Sequence, residues 1–167
     1  MKKLFALMLA LSLMLGCAAL ADDLEFNWAD YEGQAEGGSF VTVEELGLSL
    51  WLPDGYADTE LTEEAIDAGC FKAFFAEDGS GVAFLYVEAQ GADLMEAVNA
   101  IEGATDPESM IVNGLSCVNY DMKEENATCL AFSTEKDNIL VIMFGPISDE
   151  EYMAKARIIM ASIQSAE

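Results

Sequence analysis

The stretch Ile139-Leu140-Val141-Ile142-Met143-Phe144-Gly145-Pro146-Ile147-Ser148-Asp149-Glu150-Glu151-Tyr152 decides the fold. Its first six residues are apolar without a break. A run that short, rich in β-branched and aromatic types, is a strand covered on both faces. Gly145-Pro146 ends it, because proline cannot donate to a ladder and fixes its own φ. Ser148 stands where an N-cap is wanted, with Glu151 three residues on, the spacing of a capping box. Asp149 and Glu150 put negative charge at the positive end of the helix dipole, and Lys155 and Arg157 come later. Tyr152, Ala156, Ile159 and Ile163 fall at i, i+4, i+7 and i+11, one stripe aimed at a core. Residues 138–164 are therefore expected to form a buried strand, a turn and a long closing helix.

Working outward, residues 110–112 and 115–121 flank Asn113-Gly114. Asn-Gly between apolar runs is a strong hairpin signal, since both central residues of a type I′ turn need positive φ. Residues 128–133 form the next expected strand. Pairing Val118 with Leu130 brings Tyr120 to Thr128 and sets Cys117 and Cys129 diagonally on the opposite face, a poor fit to a disulfide. Asn126-Ala127-Thr128 has the form of a glycosylation acceptor and is read as a tight turn.

Residues 70–77 and 82–90 form a second hairpin around Asp78-Gly79-Ser80-Gly81, apolar on both faces. Phe71, Ala73 and Phe75 are placed on one side, Cys70 and Phe74 on the other. Residues 93–102 read as a helix stopped by Gly103. Residues 40–43 and 48–52 make the first hairpin, followed by the turn Pro53-Asp54-Gly55. Residues 54–67 hold six acids (Asp54, Asp58, Glu60, Glu63, Glu64 and Asp67) and no base. Thr62 is placed to cap a short helix there. The expected fold is α+β: a central antiparallel β-sheet with helices on both faces, an α/β/α sandwich closed by the long C-terminal helix.

Lys2-Lys3, an apolar run over residues 4–15 and Ala19-Leu20-Ala21 together match a secretory leader with Asp22 as the new N-terminus. Gly16-Cys17 offers a second reading, in which Cys17 carries a lipid. The expected organisation is a signal peptide over 1–21, an N-terminal tail or short helix over 22–39, and a single α+β domain over 40–167. The expected location is extracytoplasmic: secreted after cleavage at Ala21, or lipid-anchored through Cys17. Cleavage removes two lysines and no acid, which takes the formal net charge from −24 to −26. Such a surface repels nucleic acid and anionic headgroups and attracts a cation or a basic protein partner. No run in the mature chain is long enough for a transmembrane helix.

The chain has no histidine. That removes Ser-His-Asp and Cys-His catalysis and imidazole zinc sites. Cys70, Cys117 and Cys129 are an odd set after cleavage, so the chain is not a disulfide scaffold, and buried free thiol is favoured for at least one. The acids of residues 54–67 lack the alternating ligand spacing of a calcium loop and read as a solvated face. No residue is assigned a catalytic, cofactor-binding or metal role, and no cofactor is expected. The expected function is an exported, non-catalytic binding or assembly module. The alternative is a small carboxylate-dependent cell-wall hydrolase, for which Glu88 is the acid to examine, since two carboxyls about 5–9 Å apart are required.

Three segments carry a resemblance: Gly47-Leu48-Ser49-Leu50-Trp51-Leu52-Pro53-Asp54-Gly55, Val112-Asn113-Gly114-Leu115 and Ala161-Ser162-Ile163. Together with the order of elements, they resemble the PsbP-like fold, named for an extrinsic subunit of photosystem II. The sequence is also similar to small exported Firmicutes proteins of unassigned function. The resemblance covers about residues 40–163 and implies a module that binds proteins or stabilises assemblies. No catalytic or metal motif of that family maps onto this chain.

Overall fold

The computed structural model describes residues 24–90, 93–134 and 138–166. The leader expected over 1–21, with Cys17, lies outside them, as does Lys136. The strands are β1 (Leu24–Phe26), β2 (Gly38–Val43), β3 (Leu48–Pro53), β4 (Ala57–Asp58), β5 (Cys70–Phe75) and β6 (Gly81–Glu88). They continue with β7 (Ala104–Val112), β8 (Leu115–Met122), β9 (Ala127–Ser133), β10 (Asn138–Gly145) and β11 (Gln164–Ser165). The helices are α1 (Trp28–Tyr31), α2 (Glu63–Asp67), α3 (Leu94–Asn99) and α4 (Glu150–Ser162).

The chain is a mixed α+β structure with a large sheet and a long C-terminal helix. The large sheet has eight strands in the order β1-β7-β8-β9-β10-β6-β5-β4. Its edge strand β1 runs parallel to β7, so the sheet is not antiparallel throughout. The first hairpin, β2–β3, stands apart and joins β11 in a separate three-stranded sheet. Gly38 lets that hairpin close: a Cβ there would sit 2.3 Å from the Leu52 carbonyl oxygen.

Alternate residues of the central strands enter two separate apolar clusters, as strands without a polar face must. Leu130, Phe132, Leu140, Ile142 and Phe144 pack with Tyr152, Ala156 and Ile159 of α4 and with Leu50 and Trp51 of β3. Cys129, Ala131, Ile139 and Val141 pack with Ala97 and Val98 of α3. Each large apolar side chain buried this fully contributes roughly 1.5–3 kcal/mol. The Trp51 amide donates to the Ser162 hydroxyl at 2.8 Å, which ties the small sheet to the end of α4.

Three sequence expectations need correction. The N-cap of α4 is Asp149, whose side chain accepts from the Glu151 and Tyr152 amides at 2.9 and 3.1 Å. Ser148 is taken instead by Asn126, whose Nδ2 donates to its hydroxyl at 2.8 Å. The β8–β9 register is one residue off the expected one: Val118 faces Ala131 and Tyr120 faces Cys129. A one-residue slip moves every side chain to the other face. Cys117 therefore lies in the α4 cluster and Cys129 in the α3 cluster. Finally, a bulge between Cys70 and Lys72 breaks the expected alternation of β5. It lets Phe71 stack on Tyr86, ring centroids 4.7 Å apart, on the side where Phe74 meets Phe84.

The Asn113-Gly114 turn forms with φ of 46° and 80°. Thr62 caps α2 by accepting from the Ala65 amide at 3.2 Å. Among the described residues, no helix is long and apolar enough to cross a membrane.

Candidate functional site

The acids and cysteines that the sequence offers for chemistry are not brought together. Among the described residues, no three His, Cys, Asp or Glu side chains lie close enough to hold a metal ion. In the acidic stretch, Asp58 pairs with Lys72, and Asp54, Glu60, Glu63, Glu64 and Asp67 are exposed. Glu88 ends β6 opposite Asn138 and is exposed. Cys70, Cys117 and Cys129 are buried free thiols. Burial pushes the Cys117 and Cys129 thiols up to about 12 and raises Cys70 as well. They stay protonated at neutral pH and are poor nucleophiles.

A cleft of about 670 Å³ lies where α4 leaves the sheet. Its floor is strand. Met110, Asn119, Asp121 and Thr128 share one face of β7, β8 and β9, with Asp121 directly opposite Thr128. The Asn119 amide nitrogen donates to the Thr128 hydroxyl at 3.1 Å and to the Cys129 carbonyl at 3.0 Å. Both its N–H groups are thereby used, which leaves Oδ1 as the side chain's acceptor. The Thr128 hydroxyl in turn donates to the Tyr120 carbonyl at 3.4 Å, so Asn119 and Thr128 are both tied to the β8–β9 ladder.

One wall is the N-terminal segment, with Leu24, Phe26 and Tyr31. The Phe26 and Tyr31 rings stack at 5.5 Å with 7° between their planes. The other wall is the edge of α4, where Met153, Arg157 and Met160 follow one another at helical spacing beside the buried stripe. Ile147 closes one end.

Arg157 is the only arginine in the chain. Lys72, Lys123 and Lys155 pair with Asp58, Asp106 and Glu151 respectively. Among the described residues, Arg157 enters no such pair. Its guanidinium is a rigid fork of donors matched to a carboxylate. The cleft thus combines apolar walls, one acid, one base and an amide acceptor. From sequence, Arg157 reads as a complement to the helix dipole, and Asn119 and Thr128 carry no signal. Only the register of β8 against β9 brings Thr128 to the face that carries Asn119 and Asp121.

Further clefts lie elsewhere, one of about 340 Å³ lined by Asp93, Leu94 and Met95, and two more. One of about 550 Å³ sits between Leu46 and Leu48 and the sheet residues Tyr86, Phe132 and Leu140, with Glu45 at its rim. The other, of about 310 Å³, runs over Gly81, Ala83 and Met143 with Glu125 at its rim. Each of these clefts is lined by a single carboxylate: Asp121, Glu45, Glu125 or Asp93. A two-carboxylate hydrolase needs a pair in one cleft.

No curated protein matches this chain. Among solved structures it is similar to the cyanobacterial PsbP of Synechocystis sp. PCC 6803, the family its motifs resemble. That match is 8% identical, covers 77% of this chain and 92% of that one, and has a TM-score of 0.49. It is also similar to the Ran-binding protein Mog1p of Saccharomyces cerevisiae, at 13% identity, 78% and 96% coverage and a TM-score of 0.40. Residues 49–159 match the family described as a domain of unknown function, DUF4367, and the chain belongs to that family.

Proposed function

We propose that this chain is an exported, non-catalytic binding module that holds its ligand in the cleft between α4 and the sheet. The observation that carries the reading is the cleft itself: about 670 Å³, with apolar side chains on both walls and an arginine outside the ion pairs found among the described residues. Ligand sites are concave, mostly apolar, and supplied with a few placed polar groups. The single carboxylate, Asp121, supports binding over glycoside hydrolysis. The leader pattern over residues 1–21 supports export, with Asp22 as the first residue or Cys17 as a lipid anchor. A mature charge of −26 favours a basic or neutral partner over an anionic one.

The test is native mass spectrometry of the protein purified from the envelope fraction of its own cells. The expected result is a mature chain that starts at Asp22 or carries lipid on Cys17, with a ligand bound at unit stoichiometry. Met153→Trp, which fills the cleft from the α4 side, should strip the ligand and leave the fold intact. A ligand retained by Met153→Trp would move the site elsewhere. Release of sugar from cell wall by the wild type, lost in Asp121→Asn, would replace binding with hydrolysis.

A further inference from the structure

We infer that the cleft takes a short apolar peptide with both ends free, its carboxylate on Arg157 and its amino group on Asp121. This rests on the binding reading above and names the chemistry of its ligand. The walls are Leu24, Phe26 and Tyr31 on one side and Met153 and Met160 on the other, so the ligand's body is apolar. Methionine-lined walls adapt to side chains of varied shape. The volume, about 670 Å³, falls within the range of drug-sized ligands and exceeds the need of one amino-acid side chain.

Charge then selects the ends. A mature chain carrying −26 holds a negative field over its surface, and a free organic anion pays that field on approach. A zwitterion is net neutral and pays nothing. Along the cleft it meets one base, the exposed Arg157, and one acid, the half-buried Asp121. Arg157 sits on the α4 wall and Asp121 on the β8 floor, so the two ends of the ligand point to different elements. An extended main chain between them presents N–H groups to the Asn119 Oδ1, whose own amide nitrogen is committed to Thr128 and Cys129.

The probe is leucyl-phenylalanyl-leucine, titrated calorimetrically into the purified protein at low salt. Its N-acetyl, C-amide and doubly blocked forms run alongside, with free phenylalanine. The free-ended peptide should bind, and blocking either end should weaken it by about tenfold, the cost of one charge-assisted contact. Arg157→Gln should reproduce the loss from amidation and leave the affinity for the amide unchanged. Asp121→Asn should do the same for the acetylated form. Arg157→Lys should recover part of the loss. Equal binding of free and doubly blocked peptides would overturn the inference. So would an Arg157→Gln effect that is the same for acid and amide, or phenylalanine binding as tightly as the tripeptide. If those results came with an envelope ligand still captured and lost in Met153→Trp, the binding reading would stand without its peptide chemistry.

Discussion

Two asparagines hold α4 at its two ends, and both sit in hairpin turns with positive φ. Asn113, φ 46°, lies in the β7–β8 turn; Asn126, φ 54°, lies in the β8–β9 turn. The strand between them, β8, carries one turn to each end of the sheet. The Asn113 amide nitrogen donates to the Ala161 and Ile163 carbonyls at 2.7 and 2.8 Å, closing the C-terminus of α4. Its Oδ1 accepts from the Trp28 amide at 2.8 Å, which brings in the N-terminal segment. Asn126 grips the other end. Its Oδ1 accepts from the Ser148 amide at 3.0 Å and its Nδ2 donates to the Ser148 hydroxyl at 2.8 Å.

The residue and the backbone conformation are the same, and the surroundings are not. The residues gripped by Asn113 include Ala161 and Ile163, at 0% and 1% exposure. Their carbonyls end a helix and have no intrahelical donor. Ser148 is exposed, so its groups turn to water when released. An unpaired buried group costs its desolvation, whereas an unpaired exposed one costs little. The comparison therefore separates a clamp that carries stability from one that directs the chain.

The largest effect should come from Asn113→Asp. The turn conformation survives, because aspartate also tolerates positive φ. Both donors are lost, and a negative charge is set against two carbonyls at the negative end of the helix dipole. We expect a loss of about 4 kcal/mol in urea unfolding, from two orphaned carbonyls and the unfavourable charge. Acidification should recover part of it, since a protonated carboxyl can donate again. A loss below about 1 kcal/mol would mean that water replaces the clamp and that the distinction by burial fails.

Much of this was legible beforehand. The Asn-Gly turn announces itself, because few residues accept two positive φ values in succession. The α4 stripe of Tyr152, Ala156, Ile159 and Ile163 is buried as the periodicity requires. What sequence could not carry is the tertiary use of the turn. No spacing rule joins Asn113 to Ile163, or Asn126 to Ser148. The same limit hid the cleft: Asn119, Asp121 and Thr128 meet only in the correct β8–β9 register, and the expected register was one residue away. The Lys123–Asn126 turn sets that register. With Asn126 in the left-handed region, the ladder closes on Met122 opposite Ala127.

Gly114→Val separates the backbone part of the first clamp from its side-chain part. Gly114 has φ 80°, and a Cβ there would meet nothing within 4 Å. The cost is therefore strain without a clash, about 1–2 kcal/mol for a β-branched residue in the left-handed region. A melt unchanged by the substitution would show that the turn relaxes without disturbing the Asn113 bonds. A loss as large as that of Asn113→Asp would show that backbone and side chain form a single unit.

The smallest effect, and the sharpest contrast, should come from Asn126→Asp. The substitution is identical to the first and the helix is the same, but the end is opposite. Here the new carboxylate faces donors. The Ser148 amide already donates to Oδ1, and the Ser148 hydroxyl, which now accepts, can rotate to donate. The charge also arrives near the N-terminus of α4, where the dipole favours it by roughly 0.3–1 kcal/mol. Against that stands an already negative chain, with a formal net charge of −24. The two terms are of similar size and opposite sign. The expected change is within about 0.5 kcal/mol, as for an exposed site. Added salt should make the variant slightly more stable than the parent by screening the repulsion, while the short contacts to Ser148 persist. Unfolding both aspartate variants in parallel gives the difference directly. If Asn126→Asp costs as much as Asn113→Asp, neither burial nor the dipole distinguishes the ends of α4, and the two turns are equivalent clamps.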